Sequence, residues 1–278
     1  MTTFHTNRSP FLLLPIWLLL LFPHTLLSQN TTSLPNAYAH NDYWHKHPLF
    51  DALDNGFTYV EADVYLRKGQ LVVAHMLPSL QPSRTLDKLY LNPLSLHFKN
   101  DSMGLAYPPI TLMIDIKSGP EKTYQALALL LHRYKSLLSY YENGTLYKRA
   151  VTIVITGKKP VQTIKSMDCR YVFIDEDLIQ MAKEKNAANL FPIASCRYGR
   201  IVSRNTEETL SKEEKQNLCR YVQIAHQNGK IVRLWASPEN TTVWKELLSC
   251  GVDLINTNKL VALKTFLLNR YPDFAKSN

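Results

Sequence analysis

The chain has 278 residues, with 45% hydrophobic and 20% charged side chains, and its 9 glycines and 15 prolines exclude a low-complexity or linker-rich protein. The formal net charge is +9, but lysine and arginine are spread along the chain without a block of five like charges, which excludes a basic arm that binds nucleic acid. We therefore expect one core of ordinary size in a monomeric protein that binds no nucleic acid.

The N-terminal segment has the order of a signal peptide. Residues 1–10 contain Arg8 and no acidic residue, Phe11–Phe22 is apolar throughout, and Leu26-Leu27-Ser28 resembles a cleavage site. We predict a signal peptide at residues 1–28 and a mature domain at residues 29–278, and therefore a secreted or periplasmic protein. A retained anchor helix is the alternative, although the apolar run is short for crossing a bilayer.

Short β-rich runs alternate with longer helical segments in the rest of the chain. The predicted strands are Asn36–His40, Thr58–Tyr65, Ile110–Ile116, Ala150–Thr156, Tyr171–Ile174, Pro192–Ser195, Lys230–Trp235 and Asp253–Asn256. The predicted helices are Pro48–Asn55, Lys122–Tyr141, Leu178–Lys185, Glu207–Asn228, Thr241–Ser249 and Leu260–Asn269. Eight strands in one alternating series predict an α/β fold, a single (β/α)8 TIM barrel, with a doubly wound open sheet as the alternative.

Two segments depart from the alternation. Arg67–Gln70 lies between two β-like runs and is typical of a turn, so Leu71–His75 is predicted as an extra strand that forms a β-hairpin insertion after strand 2. Leu77–Pro109 has little pattern and contains prolines. We expect it to form a long loop over one end of the barrel.

The cysteines give no indication of a metal site. All four lie in the second half of the chain without a CxxC pair, which argues against zinc; they are Cys169, Cys196, Cys219 and Cys250. Disulfides and buried free thiols both remain open.

Candidate catalytic side chains gather at the ends of the first three predicted strands and at the end of the hairpin. They are His40, Glu61, Asp63, His75, Asp115 and Lys117. Side chains two residues apart on a strand face the same side, and the C-terminal strand ends of a parallel barrel form one mouth, where catalytic groups of this fold lie. We therefore expect these side chains to lie close together.

The residue types at this mouth suit phosphodiester cleavage. Three nearby carboxylates repel one another unless a cation is present, and Mg²⁺ or Ca²⁺ prefers oxygen ligands. Two histidines can supply an acid and a base near neutral pH. Each residue alone has an ordinary structural explanation, such as a salt bridge between Lys117 and Asp115. Their convergence at successive strand ends favours a functional site.

Three stretches resemble a known group of barrels. The stretch from Ala39 to His75, the run Asp115-Ile116-Lys117 and the stretch from Ile231 to Asn258 resemble the glycerophosphodiester phosphodiesterase and phosphatidylinositol phospholipase C-like phosphodiesterases. The closest resemblance is to the altered-inheritance-of-mitochondria subgroup. It spans roughly Tyr38 to Leu260, but the chain has His40-Asn41-Asp42 where glycerophosphodiesterases have HRG, and Asp115 where they usually have glutamate.

The resemblance implies a role for each matching residue. It makes His40 and His75 the acid-base pair, Glu61, Asp63 and Asp115 the ligands of Mg²⁺ or Ca²⁺, and Lys117 and Trp235 substrate contacts. We add two further candidate substrate contacts. Asn41 follows His40, and Arg233 shares a strand face with Trp235.

The predicted function is that of a metal-dependent phosphoric diester hydrolase. Its substrate would be a small-molecule or lipid phosphodiester, of the glycerophosphodiester or phospholipid type, which allows a peripheral membrane contact. Cleavage would proceed by direct attack of water or through a cyclic phosphate. The alternative is a barrel that binds a phosphorylated head group or sugar without cleaving it.

Overall fold

Eight parallel strands close into a barrel in this computed structural model, which describes residues 1–2, 33–99, 107–183, 186–203 and 209–270. Each barrel strand pairs with its neighbours in the chain, and the first also pairs with the last. The predicted (β/α)8 barrel is therefore confirmed. The barrel strands are β1 (Ala37–Ala39), β2 (Tyr59–Arg67), β3 (Ile110–Ile116), β4 (Val151–Gly157), β5 (Phe173–Asp177), β6 (Ile193–Arg197), β7 (Ile231–Trp235) and β8 (Leu254–Thr257).

Side-chain alternation separates two hydrophobic layers. On β3, Leu112 and Ile114 belong to the large core between the barrel and its helices, whereas Met113 belongs to a second buried cluster. Neighbouring residues of a strand face opposite sides, so the second cluster fills the barrel interior. Asp115 lies two residues after Met113 and therefore faces the interior at the C-terminal end of the strand.

The helices follow the strands along the chain. The α-helices of the described residues are α1 (Phe50–Asp54), α2 (Asn92–Phe98), α3 (Pro120–His132), α4 (Val161–Lys165), α5 (Leu178–Met181), α6 (Lys212–Gln227), α7 (Thr241–Ser249) and α8 (Leu260–Arg270). The bounds of α7 are those predicted. α6 begins at Lys212 because Ser211 and Glu214 form a capping box, while its predicted start at Glu207 lies outside the described residues, as does the predicted end of α5 at Lys185.

The predicted helix Lys122–Tyr141 is wrong in its second half. α3 is shorter, and Tyr140–Glu142 pairs antiparallel with Thr145–Tyr147. Asn143 and Gly144 join these two strands with φ angles of 49° and 82°, the left-handed geometry that a two-residue hairpin turn requires. The Asn-Gly pair is therefore a stronger local signal here than the helical spacing before it.

The predicted loop Leu77–Pro109 is also wrong in part, because it contains a helical segment. A π-helical turn, Asp87–Leu91, leads directly into α2. Leu86, Tyr90 and Leu94 are buried at a spacing of four residues, which is a helical period. This segment packs its apolar side into the core instead of lying over the barrel as an open loop.

The four cysteines form one disulfide and two free thiols. Cys219 and Cys250 form a disulfide that links α6 to the end of α7, while Cys169 and Cys196 are free thiols.

None of the helices in the described part of the chain has the length and hydrophobicity that crossing a membrane requires. Residues 3–28 of the predicted signal peptide lie outside the described residues, so the domain limits at 1–28 and 29–278 stay predictions.

Candidate active site

His40 follows β1 at the C-terminal end of the barrel. Its backbone N–H donates a hydrogen bond to the carbonyl oxygen of Thr257 at 2.9 Å, which ties it to the end of β8. Nδ1 of the ring lies 3.1 Å from Oδ1 of Asn258 and 3.0 Å from Nδ2 of Asn41, and Nε2 lies 3.6 Å from Oε2 of Glu61. Burial lowers the pKa of His40, and the Glu61 carboxylate offsets part of this change.

Glu61, Asp63 and Asp115 form a carboxylate cluster beside His40. β2 and β3 pair so that Asp63 lies directly opposite Asp115, and Glu61 faces the same side as Asp63. One oxygen from each of the three side chains lies within 4.8 Å of the other two. Burial raises the pKa of Asp63 to about 7, and the two neighbouring carboxylates add to the rise.

His75 contacts the cluster at Asp63, whereas His40 contacts it at Glu61. The strand Gln70–Val73 runs antiparallel to the end of β2, and the N–H of Ala74 donates to the carbonyl oxygen of Asp63 at 3.1 Å. This pairing returns the chain to the carboxylate cluster. Nδ1 of His75 then lies 3.1 Å from Oδ2 of Asp63.

Tyr43 connects Asn41 to His75. Its hydroxyl donates to Oδ1 of Asn41 at 2.7 Å, and its oxygen lies 3.3 Å from Nδ1 of His75. The Tyr43 hydroxyl also has Asp63 as a hydrogen-bond partner, so Tyr43 belongs to the same polar network as His75 and the carboxylate cluster.

Lys117 brings a positive charge to the cluster. Its Nζ lies 2.6 Å from Oδ2 of Asp115 and 3.1 Å from Oδ2 of Asp63. Burial alone would lower the pKa of Lys117, but the two carboxylates outweigh it and the pKa is raised. The side chain is therefore an ammonium ion held beside the carboxylates.

Arg233 lies beneath the cluster inside the barrel and is 3% exposed. Its guanidinium lies 3.6 Å from Oε1 of Glu61 and 3.8 Å from Oδ2 of Asp175, and it donates to Oδ1 of Asn256 at 3.1 Å. Burial opposes the charge of Arg233, but Tyr38 and the two carboxylates raise its pKa on balance. Arg233 therefore pairs with the Glu61 carboxylate inside the barrel. Its contact with a substrate stays a prediction.

Asp175 is a further buried carboxyl group, and the sequence reading did not select it. It accepts hydrogen bonds from Ser195 and, at 2.9 Å, from Thr156. Burial raises the pKa of Asp175, and Arg233 offsets part of the rise. Asp175 lies near the C-terminal end of β5, and this position was the criterion that selected Glu61 and Asp63. The sequence therefore contained the information needed to select Asp175 as well.

Asn258 and Glu239 extend the contacts of His40. The Asn258 side chain donates to Oε1 of Glu239 at 2.7 Å, and the Asn258 backbone N–H donates to the same oxygen at 3.1 Å. Glu239 also accepts from the Thr257 hydroxyl at 3.1 Å. The sequence reading assigned neither residue a role, although Asn258 lies two residues after a predicted strand.

The remaining predicted substrate contacts have different surroundings. Asn41 is buried between the two histidines, where its backbone N–H donates to Oε2 of Glu61 at 3.4 Å. Trp235 ends β7 and is exposed. The structure therefore places Asn41 within the hydrogen-bond network and Trp235 at the rim, and the substrate contacts of both stay predictions.

The donor set fits a hard divalent cation. In the part of the chain that the structure describes, Oδ1 of Asp115 is buried without a hydrogen-bond partner, an arrangement that normally calls for an unobserved ligand, ion or water. It belongs to a group of three carboxylates, the ligand type that Mg²⁺ and Ca²⁺ prefer. Glu61, Asp63 and Asp115 are therefore the residues able to hold such an ion.

A cavity of about 980 Å³ opens at the other end of the barrel. Residues at the beginnings of the strands line it, among them Tyr59, Ile110 and Ile193. Its described lining is mostly apolar and includes neither histidine nor any carboxylate of the cluster. The candidate chemistry therefore belongs to the C-terminal mouth.

Comparison with known proteins identifies the family. Residues 27–175, more than half of the chain, match the model of the AIM6-like phosphodiesterase domain. The chain belongs to this family. Altered inheritance of mitochondria protein 6 of Eremothecium gossypii is 30% identical over 280 residues, which cover 86% of this chain and 71% of the relative. The Kluyveromyces lactis protein of the same name is 28% identical, with 86% and 74% covered.

A relative of similar length is also known. The altered inheritance of mitochondria protein 6 homolog of Arthroderma benhamiae is 25% identical over 294 residues, which cover 94% of this chain and 90% of the relative. The resemblance inferred from the sequence is therefore confirmed at the level of the subgroup.

The prediction of a secreted or periplasmic protein is wrong by this comparison. The relatives carry names that refer to the inheritance of mitochondria, and nothing in the comparison supports export. The physical reason for the error is that a basic residue followed by an apolar run encodes affinity for a nonpolar environment. Such a run does not by itself specify where in the cell the protein is located.

Proposed function

We propose that this member of the AIM6-like phosphodiesterase family cleaves a phosphodiester with His40 and His75 as its acid-base pair. The observation that supports the proposal is that the two rings contact different carboxylates of the same cluster. Nε2 of His40 lies 3.6 Å from Glu61, and Nδ1 of His75 lies 3.1 Å from Asp63. A barrel that only binds a phosphorylated ligand needs no such pair.

Each group of the site has a role in this proposal. One histidine removes a proton from the attacking hydroxyl, and the other donates a proton to the departing oxygen. Lys117 holds a fixed positive charge beside the phosphate. Glu61, Asp63 and Asp115 bind Mg²⁺ or Ca²⁺, which when bound withdraws negative charge from the phosphate oxygens.

The substrate in this proposal is a glycerophosphodiester or a phospholipid-type phosphodiester. Lys117, Asn41 and Arg233 belong to its polar surroundings, with Arg233 acting through Glu61 because it is buried beneath that residue. Trp235 lines the apolar side of the substrate.

Turnover of bis(p-nitrophenyl) phosphate with and without Mg²⁺ or Ca²⁺ tests the proposal. His40→Ala and His75→Ala should each reduce turnover by about 10²–10⁴-fold, the usual contribution of general acid-base catalysis. His47→Ala is the matched control, because His47 is exposed and pairs only with the nearby Asp51 among the described residues. The control should turn over at the wild-type rate.

Two results would contradict the proposal. Unchanged turnover in either histidine variant means that the ring takes no part in the reaction. A wild-type protein that binds inorganic phosphate in the presence of the cation, yet cleaves no phosphodiester of a broad panel, is instead a binding barrel. With a glycerophosphodiester as substrate, phosphorus NMR of the early product separates direct attack of water from cyclisation by the substrate's own hydroxyl, since a cyclic phosphate signal excludes direct hydrolysis as the sole path.

A further inference from the structure

Exposed apolar side chains surround the opening above the carboxylate cluster. Trp44, Met76, Leu77 and Trp235 are 59%, 56%, 49% and 39% exposed. The Trp44 ring packs edge-on against His75, with 5.2 Å between ring centroids, and Met76 and Leu77 follow His75 directly. Trp235 stands on another side of the opening, at the end of β7. Single exposed apolar residues are ordinary, but several around one polar opening mark an interaction surface.

Basic side chains stand at the same end of the barrel. β2 extends past its pairing with β3 and turns back at Lys68 and Gly69, so the tip of this hairpin lies beyond the C-terminal end of the paired strands. The parallel strands all end at this mouth. The exposed cations at the hairpin tip and at the strand ends are Arg67, Lys68, Lys158, Arg197 and Lys259.

Nearby acidic groups are engaged in internal contacts. Asp63 and Asp115 pair with Lys117, and Glu239 binds Asn258. Among the described residues, the exposed charges of the hairpin tip and the strand ends are therefore mostly positive. We call these five cations, together with Trp44, Met76, Leu77 and Trp235, the docking rim.

The catalytic groups lie below the docking rim. Glu61 and Asp63 are buried, whereas the four apolar rim side chains are 39–59% exposed. A phosphate that reaches the cluster must pass the rim, so any apolar group attached to it remains at the level of the exposed tryptophans. This arrangement suits a substrate whose charged part enters the protein while its apolar part stays outside.

We propose that the docking rim binds the surface of an anionic lipid bilayer, from which a phosphodiester head group enters the site. Tryptophan favours the interface between membrane and water, apolar side chains insert below the head groups, and lysine and arginine are attracted to anionic lipids. The rim combines all three residue types around one opening. The choice of head group rests on the proposed phosphodiesterase function, but the docking itself does not require turnover.

Flotation with lipid vesicles tests the docking. Vesicles of phosphatidylcholine with phosphatidylserine should carry the wild-type protein upward, and vesicles of phosphatidylcholine alone should carry much less. The double variant Arg67→Gln/Lys68→Gln should bind about 30-fold more weakly, because each lost cation near an anionic surface accounts for roughly fivefold. The double variant Met76→Ser/Leu77→Ser should bind at least about tenfold more weakly.

Matched controls lie away from the opening. Leu129→Ser changes a 77% exposed leucine near the far end of α3, and Lys148→Gln removes an exposed cation just before β4 begins. Both controls should bind vesicles like the wild type. Circular dichroism confirms that each variant is folded, and the two rim variants test separate parts of the surface.

The outcomes separate docking from catalysis. Absence of wild-type binding to anionic vesicles, or equal binding by rim variants and controls, overturns the docking proposal. A wild-type dimer in sedimentation velocity that Met76→Ser/Leu77→Ser dissociates, without vesicle binding, also overturns it and identifies the rim as a contact between two copies. Vesicle binding without turnover of bis(p-nitrophenyl) phosphate supports docking and contradicts the phosphodiesterase proposal. Both rim variants should keep wild-type turnover of that soluble substrate.

Discussion

A single methyl group added by Gly157→Ala should displace Asp115 from the carboxylate cluster. Gly157 ends β4 with a φ of 70°, and a Cβ at this position would lie 2.0 Å from Oδ1 of Asp115 and 2.7 Å from the carbonyl oxygen of Ile116. That carbonyl is held by a 2.9 Å hydrogen bond from the N–H of Lys158. The Asp115 side chain must therefore move, and the Ile116 carbonyl must shift as well, because a backbone oxygen at 2.7 Å is also too close.

The expected effect has two separable components. The left-handed backbone costs alanine about 1–2 kcal/mol relative to glycine. Gly144→Ala measures this component alone, because Gly144 has a φ of 82° and its Cβ would meet nothing within 4 Å. The second component is the loss of one carboxylate ligand. Mutating even a group that only supports a metal ligand costs about 10–100-fold in affinity, so displacing the ligand itself should cost at least as much.

Isothermal titration with Mg²⁺ or Ca²⁺ and urea unfolding measure the two components. Gly157→Ala should lose more unfolding free energy than Gly144→Ala, because the clash with the Ile116 carbonyl adds to the backbone strain, and only Gly157→Ala should lose cation affinity. Equal cation affinity in wild type and Gly157→Ala would refute the assignment of Asp115 as a ligand. Absence of cation binding by the wild-type protein would refute the assignment of the whole cluster.

Two further predictions concern buried charges. Burial raises the pKa of Asp42 to about 6 from an ordinary 3.8. Between those two pH values the native state binds this proton and the unfolded state does not. The resulting stabilisation amounts to about 3 kcal/mol, is complete below pH 3.8 and is lost as pH rises through 6. Asp42→Asn should remove this contribution from urea unfolding measured between pH 4 and 7, and parallel pH profiles would contradict it. Arg233→Met should lower the unfolding free energy by about 3–5 kcal/mol, because Glu61 and Asp175 lose their buried partner, and Asp175→Asn should restore part of the loss. Unchanged unfolding with a raised KM would show instead that Arg233 acts on the substrate.

The barrel was predictable because its strands carry a strong local signal. A run such as Ile110–Ile116 is apolar on both sides, as expected where a strand faces helices outside and a packed interior within. The strand-end rule then brought Glu61, Asp63 and Asp115 together, because parallel strands of one barrel share a C-terminal mouth. No knowledge of the detailed packing was needed for either step.

The supporting contacts of the site were less predictable because they join distant parts of the chain. Asn258 touches His40 across 218 positions, and its partner Glu239 comes from a loop without a periodic pattern. The importance of Gly157 depends on a backbone angle and on the distance to Asp115, neither of which the sequence displays. The contacts of Tyr43 were also unpredictable, because a tyrosine in a short loop is equally compatible with apolar packing and with hydrogen bonding.

The charges built into the site explain why a phosphodiester is a suitable substrate class. The three carboxylates of the cluster are accompanied by two permanent cations, with Lys117 beside Asp63 and Asp115 and Arg233 beneath Glu61. With all carboxylates ionised, and with Asp175 counted beside Arg233, the protein alone carries two excess negative charges here and would repel an anion. A bound divalent cation would cancel this excess and remove the repulsion toward the single negative charge of a phosphodiester. Cation binding and substrate binding should therefore be coupled at this site, because each charge makes the other favourable.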